Sequence, residues 1–293
     1  MKLVGDKMMK PEIKELASKD AAKEKTLPYA FVDLCFDSEG YMFTCTGTTQ
    51  TGSKITGQIR KISPSGSNIL FQRTKDSKFI TSDSVNFVEK RLINRYSGPR
   101  RQNILSIDID EQGFLYALDQ TYGLVYVYDR ECNLISAFGG GVGKGQIKGT
   151  FMKATALALN GSSVLVGDAD TGSITVFEIT DYGKNLMTAQ YNYLNGDYTE
   201  SEPYWSKVIS YDRGNQLAYK GLAMIYYMKG DMSSALEYAK AGLDYNVYDL
   251  AYQKVLKDYI SDNFVWLFPL ILVAIALSIG LFVVKNKKNI VIF

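Results

Sequence analysis

Two different spacings of hydrophobic residues divide this chain into a β-rich part and a helical part. From residue 28 to about 181, short apolar stretches alternate with turns rich in Gly, Asp and Asn. That pattern is typical of β-strands joined by tight hairpins. From 182 to 262 the apolar residues recur three and four positions apart, which predicts amphipathic helices. A final stretch, 264–284, is uncharged and mostly apolar, and predicts one hydrophobic helix.

The β-rich part, 28–181, contains units that can be overlaid on one another. Two of them, 106–128 and 156–177, each read as strand, turn, strand, turn, strand, with equivalent positions 49 residues apart. The matched pairs are Asp119 with Asp168, Gly123 with Gly172, and Tyr128 with Phe177. An earlier unit covers 31–62. One more irregular unit is expected in 72–103, which carries Arg91, Arg95, Arg100 and Arg101. Such repetition predicts a partial β-propeller of three to four blades.

Aspartate and glycine mark the turns and strand ends of these units. Short acidic side chains accept hydrogen bonds from turn amides, and glycine adopts the conformations that tight hairpins need. Because these residues recur at equivalent positions, we interpret them as a structural repeat signature. With the helical positions described below, the signature consists of Asp37, Gly40, Asp110, Gly113, Asp119, Asp168, Gly196, Ala223, Gly230 and Ala235.

Metal binding is the alternative use of the acidic residues. In a metal-dependent propeller hydrolase or lyase of the lactonase type, carboxylates in the central channel would hold a divalent cation. The candidates are Asp108, Asp119, Asp168 and Asp170. An active-site acid usually breaks a repeat, whereas Asp119 and Asp168 define one. The structural interpretation is therefore favoured, and the enzyme remains the alternative.

The helical part repeats with a period of 34 residues. Gly196 aligns with Gly230, and Ala189 aligns with Ala223. A helix–turn–helix unit of this length is that of the tetratricopeptide repeat. Small residues such as Ala223 and Ala235 let the two helices of a unit approach closely. We therefore expect two tetratricopeptide-like repeats over 182–262, ending in a helix that leads to the hydrophobic stretch.

The hydrophobic stretch 264–284 is long enough to cross a bilayer. Its 21 residues carry no charge, and a helix at about 1.5 Å per residue makes them roughly 30 Å long. Trp266 and Phe268 lie within it near its start, and Lys285, Lys287 and Lys288 follow its end. Interfacial aromatic residues and cytoplasmic lysines are usual at these places. We predict a single-pass cell-membrane protein with an extracytoplasmic head and a cytoplasmic basic tail, 285–293.

The polar N-terminal segment, 1–27, contains no apolar core of a secretory signal. Three or four blades also leave open sheet faces and edges. We therefore expect the chain to be the C-terminal portion of a longer architecture, truncated at its N-terminus, or to pair with another chain that completes the propeller.

Composition excludes several classes of function. The net charge is +2, from 33 basic and 31 acidic residues without a basic block, so nucleic-acid binding has no electrostatic support. The chain has no histidine, which removes Ser-His-Asp and Cys-His catalysis and the usual zinc sites. Cys35, Cys45 and Cys132 lack C-x-x-C spacing and are interpreted as buried or half-buried thiols. The run 139–145 has no Ser or Thr after Lys144, unlike a phosphate-binding loop.

Aromatic residues leave a carbohydrate site open as a hypothesis, because sugar rings stack on aromatic faces. The candidates are Tyr122, Tyr126, Tyr182, Tyr191, Tyr193, Tyr198, Tyr204 and Trp205. We favour packing roles for several of them, with Tyr126 on a strand face and Tyr193 and Trp205 between helices.

The repeat residues carry two resemblances. The D-x-x-G turns, the strand-ending aspartates and the run from Phe138 to Phe151 resemble the NHL-type propeller repeat. The whole order resembles a family of bacterial, largely Firmicute, membrane proteins. These have an NHL-like propeller outside the cell, a short tetratricopeptide segment and a C-terminal membrane region, often a Yip-type multispanning domain. They are commonly encoded beside sugar ABC transporters.

The resemblance implies a membrane-anchored, non-enzymatic binding or scaffold protein, accessory to carbohydrate uptake. It implies protein partners, among them transporter components, and allows a carbohydrate ligand; no cofactor is expected. The predicted fold is multidomain, β then α: a partial NHL-like propeller, a two-repeat helical segment and one transmembrane helix. A metal-dependent hydrolase or lyase, and a fragment without an independent function, remain the alternatives.

Overall fold

The β-then-α order predicted by the hydrophobic pattern is confirmed. The computed structural model describes residues 31–45, 59–62, 64, 103–142 and 147–288. Within these ranges, three β-sheets precede a series of α-helices. The chain divides into two compact units, 1–180 and 181–293, and α1, the first of these helices, begins at Asp181.

Eleven described strands form three sheets. The first sheet contains β1 (Asp33–Phe36), β2 (Met42–Cys45) and β3 (Ile59–Ile62). The second contains β4 (Ile104–Ile109), β5 (Leu115–Asp119), β6 (Leu124–Tyr128), β7 (Leu134–Val142) and β8 (Thr150–Phe151). The third contains β9 (Ala154–Asn160), β10 (Ser163–Asp168) and β11 (Ser173–Glu178). Neighbouring strands are antiparallel, except that β8 runs parallel to β7.

The second sheet is packed between the other two. Every residue of β5 and β6 is buried. One face of this sheet, with Ile107 and Tyr126, shares a core with Phe43 and Ile59 of the first sheet. The opposite face packs on the third sheet, where the ring of Phe138 lies 5.0 Å from that of Phe177. Burial on both faces explains why these strands are continuously apolar instead of alternating.

Side chains on β1 and β4 bind the backbone of the first strand of the next sheet and so join the three sheets. The N–H of Ile107 in β4 donates to Asp33 Oδ2 in β1 at 3.0 Å, and the Ser106 hydroxyl donates to the same oxygen at 2.7 Å. The N–H of Leu157 in β9 donates to Ser106 Oγ at 3.1 Å. Farther along, the N–H of Leu159 donates to Asp108 Oδ2 at 2.8 Å. The first strands therefore lie side by side in a curled arrangement that is compatible with a partial propeller.

The second sheet differs from the three-strand unit that the sequence predicts. It has five strands, because the glycine-rich run continues β7 to Val142 instead of ending it. Gly139 adopts a φ of +94°, and a Cβ there would lie 2.8 Å from the carbonyl oxygen of Gly123. Glycine is needed at this point because the two backbones approach closely, a contact that the sequence pattern does not reveal.

Five described helices follow the sheets. They are α1 (Asp181–Asn195), α2 (Tyr198–Tyr211), α3 (Gln216–Lys229), α4 (Met232–Ala241) and α5 (Tyr245–Lys288). The core between α1, α2 and α3 includes Leu186, Trp205 and Leu222. A second cluster joins Ala223 in α3 to Ala239 in α4 and Val247 in α5.

The helix ends repeat with the 34-residue period. Gly196, the residue after α1, has a φ of +84°, and the Asp197 N–H donates to the Asn192 carbonyl at 2.9 Å. Gly230, the residue after α3, has a φ of +83°, and the Asp231 N–H donates to the Tyr226 carbonyl at 3.0 Å. Both ends are Schellman caps, which use the left-handed conformation that glycine adopts without strain.

The long helix α5 bends by 74° between Trp266 and Phe268. Pro269 lies just after the bend and cannot donate to the carbonyl four residues earlier, which explains a break at this place. In the described part of the chain, no single straight helix is long and apolar enough to cross a membrane, although the two arms of α5 together meet that length and composition.

Some predicted features lie outside the described residues. These are the polar segment 1–27, most of the irregular unit 72–103, the part of the glycine-rich run at 143–146, and the last residues of the basic tail, 289–293.

Candidate functional site

The two D-x-x-G sequences form the same hydrogen-bonded turn. At Asp37, the carboxylate oxygen Oδ1 accepts from the N–H groups of Glu39 and Tyr41 at 3.0 and 2.8 Å. At Asp110, Oδ1 accepts from the N–H groups two and four residues later at 3.0 and 2.9 Å. The glycines Gly40 and Gly113 have φ near +85°. These aspartates therefore hold the β1–β2 and β4–β5 hairpins closed.

A third turn of this kind, which the sequence analysis missed, joins β6 to β7. Asp129 Oδ1 accepts from the N–H groups of Glu131 and Asn133, both at 2.9 Å. Cys132 occupies the position that glycine has in the other turns, with φ of +64°. A left-handed conformation is rare for a residue with a Cβ. In the sequence, only Asp129 could have indicated this turn, because Cys132 replaces the glycine of the motif.

Asp119 joins the end of β5 to the start of β4. Its carboxylate is fully buried and accepts from the N–H groups of Asn103 and Thr121 at 3.1 and 2.9 Å, and from the Tyr126 hydroxyl at 3.3 Å. Burial raises the pKa of Asp119 above its usual range, and the hydrogen bonds partly oppose that effect. The arrangement ties three strands of one sheet together.

Asp168 has the equivalent position in the third sheet, at the end of β10. It accepts four backbone N–H bonds, from Met152 at 2.6 Å, Lys153 at 3.2 Å, Asp170 at 3.0 Å and Thr171 at 3.2 Å. Burial alone would raise the pKa of Asp168, but the four donors outweigh it and lower the pKa. Asp119 thus joins the end of β5 to the start of β4, and Asp168 joins the end of β10 to the start of β9 in the same way.

The four candidate metal ligands do not come together. Asp108 accepts from the backbone of β4 and β9, Asp119 and Asp168 end strands of different sheets, and Asp170 lies exposed in the β10–β11 turn. Among the residues that the structure describes, no group of three His, Cys, Asp or Glu side chains could hold a metal ion.

An open groove of about 520 Å³ lies beside the edge strand β11. It is lined by Thr150 and its neighbours and by residues of β11, both hydroxyl-bearing, such as Ser173, and apolar, such as Ile174, Val176 and Phe177. β11 pairs with β10, and no second partner strand for it appears among the described residues. The groove therefore combines an open strand edge with mixed polar and apolar walls, which suits an extended segment of another protein.

Several candidate carbohydrate-stacking residues lie in the protein interior. Tyr122, Tyr126 and Trp205 are buried. The half-buried ring of Tyr193 lies 5.5 Å from that of Tyr198 and 6.5 Å from that of Trp205. In the sheet unit, Tyr122 and Tyr126 belong to the core between the first and second sheets. The remaining candidates, Tyr182, Tyr191 and Tyr204, are half-buried on the helices.

The small residues of the helical repeat lie where helices touch. Ala223 and Ala235 are fully buried between α3 and α4. Ser201, which replaces alanine in the first repeat, is also buried, and its hydroxyl donates to the Ala189 carbonyl at 2.8 Å. Sequence reasoning missed Gly221: a Cβ there would lie 2.5 Å from Nε1 of the Trp205 ring.

Comparisons with known proteins give a limited result. No protein-family model matches the chain, and no curated protein matches it. Among solved structures, it is similar to virginiamycin B lyase from Staphylococcus aureus, with 10% identity and a TM-score of 0.25. The match covers 55% of this chain and 44% of the lyase, so the chain spans less than half of that protein. A TM-score this low carries no conclusion about activity.

Proposed function

We propose that this protein is a membrane-anchored, non-enzymatic scaffold that binds other proteins. In this proposal the three sheets are blades of a partial NHL-like propeller, and α1 to α4 are two tetratricopeptide-like repeats. The apolar stretch 264–284 in α5 crosses the cell membrane once, with the head extracytoplasmic and the C-terminus cytoplasmic. Its partners include components of a carbohydrate transporter, and the protein also binds a carbohydrate ligand.

The observation that carries the proposal is the exposed apolar surface of α5. From Phe264 to Val283 every side chain whose exposure is described lies open to the surroundings. A helix that is apolar on all sides is normally buried in a protein core or in lipid. The start of the same helix is packed into the helical unit through Val247 and Ala251, so the exposed arm continues from a folded domain.

The groove beside β11 supports the binding role, because it is a surface on which another protein segment can lie. The described acids of the repeat turns are each engaged by backbone amides, whereas the groove beside β11 offers an open strand edge, hydroxyl groups and apolar side chains. Such a surface fits an extended peptide, which adds main-chain hydrogen bonds at the edge and side-chain contacts in the groove.

The anchor is tested by placing charge in the middle of the exposed arm. We expect the full chain to remain in the membrane fraction after carbonate extraction. The double variant Leu272→Asp/Ala276→Asp should move to the soluble fraction, because each central carboxylate costs about 3 kcal/mol in a bilayer. The matched control, Gln253→Asp/Lys257→Asp, changes exposed residues in the first arm of the same helix and should stay with the membrane. A wild-type chain that is extracted by carbonate would contradict the anchor.

The orientation is tested separately with a membrane-impermeant maleimide on intact cells. Ser162→Cys lies in the exposed β9–β10 turn and should be labelled, whereas Asn286→Cys, beyond the apolar arm, should react only after the cells are opened. The reverse labelling pattern would contradict the extracytoplasmic head while leaving the anchor intact.

A further inference from the structure

The first arm of α5 carries a stripe of aromatic and apolar side chains along one side. This arm runs from Tyr245 to Trp266. Successive residues of a helix are about 100° apart around its axis, so residues three and four positions apart share a side. The stripe comprises Tyr248, Tyr252, Val255, Leu256, Tyr259 and Trp266, all of which are exposed in the described structure. A folded domain thus leaves a continuous row of large hydrophobic side chains open.

The stripe is not the side by which α5 packs on the rest of the helical unit. Val247 and Ala251 are 2% and 0% exposed, and Val247 belongs to the cluster that joins α5 to α3 and α4. Around the helix, these two residues lie about 100° or more from Tyr252 and Leu256. The first arm therefore has two separate apolar sides, one packed on its own domain and one open.

Charged side chains are kept off the stripe. Lys254, Lys257 and Asp258 lie on the other half of the helix surface, and Asp249 and Asp262 lie at the two edges of the stripe. A helix with an apolar side and a charged side is typical of segments that lie in the plane of a membrane surface.

The polar atoms on the stripe suit a boundary between water and lipid. Tyrosine and tryptophan are enriched at this boundary, because the ring can lie among acyl chains while the polar atom reaches water. The rings of Tyr248 and Tyr252 stack with their centres 6.3 Å apart. Asn263, on the same side, donates from Nδ2 to the Tyr259 carbonyl at 2.9 Å. Part of its hydrogen-bonding capacity is therefore satisfied within the helix.

The stripe leads directly into the apolar stretch 264–284. The bend of 74° between Trp266 and Phe268 sets the first arm nearly perpendicular to the second. If the second arm stands across a bilayer, the first arm lies close to the plane of the membrane surface. A second copy of the helix would fit this side less well, because the series 248, 252, 255, 259 continues to Asp262, where the seam of a coiled coil needs an apolar residue.

We propose that the stripe lies on the phospholipid surface, with its rings at the level of the headgroups and the upper acyl chains. The inference rests on the proposed membrane anchor and adds that the neighbour of the first arm is lipid and not protein. Contact with lipid covers the hydrophobic side chains that the described structure leaves exposed. It also holds the helical unit at the membrane, because the same arm packs on that unit through Val247 and Ala251.

Spin labels on single cysteine variants test what surrounds the stripe. The full chain carries a nitroxide at Leu256→Cys or Tyr259→Cys and is reconstituted in phosphatidylcholine vesicles, with labelled wild type as the background from native thiols. Collisions with oxygen, which concentrates in lipid, are compared with collisions with a water-soluble nickel chelate. The matched controls on the charged side are Lys254→Cys and Lys257→Cys. The oxygen-to-nickel ratio should be at least about fivefold higher on the stripe, because the apolar side of a surface helix is buried in the boundary region.

The possible results separate this inference from the anchor. Equal ratios on the two sides overturn the surface helix, and so do low collision rates with both reagents on the stripe, which would mean that protein covers it. Leu272→Cys, in the middle of the apolar stretch, reports on the anchor itself. A lipid-like ratio at Leu272 with a water-like ratio at Leu256 rejects the surface helix and keeps the anchor. Water-like ratios at both positions reject the anchor as well.

Tryptophan fluorescence gives a second, independent readout. The chain has two tryptophans, and in a Trp266→Phe background the remaining one, Trp205, is 0% exposed. Leu256→Trp should lose about half of its added fluorescence in vesicles whose acyl chains carry bromine near the headgroups, because its ring lies at that depth. The neighbouring Lys257→Trp should keep its fluorescence. Equal quenching of the two variants, or quenching of neither, overturns the proposal.

Discussion

At the scale of single residues, the aspartates of the repeat signature accept hydrogen bonds from backbone amides. Asp119 and Asp168 have equivalent sequence positions and similar partners, yet their pKa values shift in opposite directions. Asp119 lies deep among the strands of the second sheet, where loss of hydration dominates. Asp168 accepts from four backbone amides, two just before β9 and two in the β10–β11 turn, and they favour its charged form. A repeated residue can therefore keep its structural role while its electrostatics change with its surroundings.

We expect the two isosteric variants, Asp119→Asn and Asp168→Asn, to show opposite pH dependences. The lowered pKa of Asp168 contributes stability that is present above its unfolded value of 3.8 and is lost as the pH falls through the folded value. The pKa of Asp119 is raised, so ionising its carboxyl destabilises the folded state. This loss of stability develops as the pH rises from the unfolded pKa of 3.8 to the higher folded pKa. Asp168→Asn should cost about 2 kcal/mol at neutral pH and less in acid, whereas the cost of Asp119→Asn should increase in acid.

The measurement is urea unfolding of each variant and the wild type at about pH 7 and about pH 3, with the difference in unfolding free energy taken at each pH. If both variants lose their effect in acid in the same way, the opposite pKa shifts are wrong. If the wild type has an activity that requires a divalent ion, and variants that still fold lose it, that result would support the enzyme alternative.

At the scale of elements, packing depends on small residues at places where two elements cross. Gly221 in α3 faces the ring of Trp205 in α2, and no side chain fits between them. Ala223 and Ala235 have the same role between α3 and α4. Ala223 and Ala235 recur with the 34-residue period as Ala189 and Ser201, whereas Gly221 has no small counterpart in the first repeat. The bend of α5 lies beside Pro269.

We expect Gly221→Ala to destabilise the helical unit by about 1–2 kcal/mol. Alanine favours a helix by about 1 kcal/mol over glycine, but overpacking against a rigid ring costs about 1–3 kcal/mol. The measurement is urea unfolding followed by circular dichroism. Adding Trp205→Phe, which shortens the ring, should recover part of the loss in a double-mutant cycle. A Gly221→Ala variant as stable as the wild type would show that Trp205 can move aside.

At the scale of the whole molecule, each unit has a separate core. The three thiols belong to one of them: Cys35, Cys45 and Cys132 all pack in or against the core between the first and second sheets. All three are free. Burial raises the pKa of each thiol to about 12, so the reactive thiolate is scarce while this core is closed.

We expect the three thiols to react with a disulfide reagent only when the sheet unit opens. At mildly alkaline pH each should react at least about 100-fold more slowly than a free thiol, and all three should become reactive together in urea. Ser162→Cys, exposed in a turn, should react at once in the same chain and serves as the control. Rapid reaction of one native thiol in the folded chain would show that this part of the core opens by itself.

The sequence alone determined the features that depend on neighbouring residues. Turn aspartates, left-handed glycines and helix ends repeat because a hydrogen bond to a residue two to five positions away is encoded locally. Only the tertiary structure decided the features that join distant residues. These include the link from Asp33 to Ile107, the contact of Gly221 with Trp205, and the tolerance of Cys132 at positive φ. The same reason applies to Val127 and Val176, which occupy one repeat position: only the packing of sheets determines that Val127 is buried and Val176 exposed.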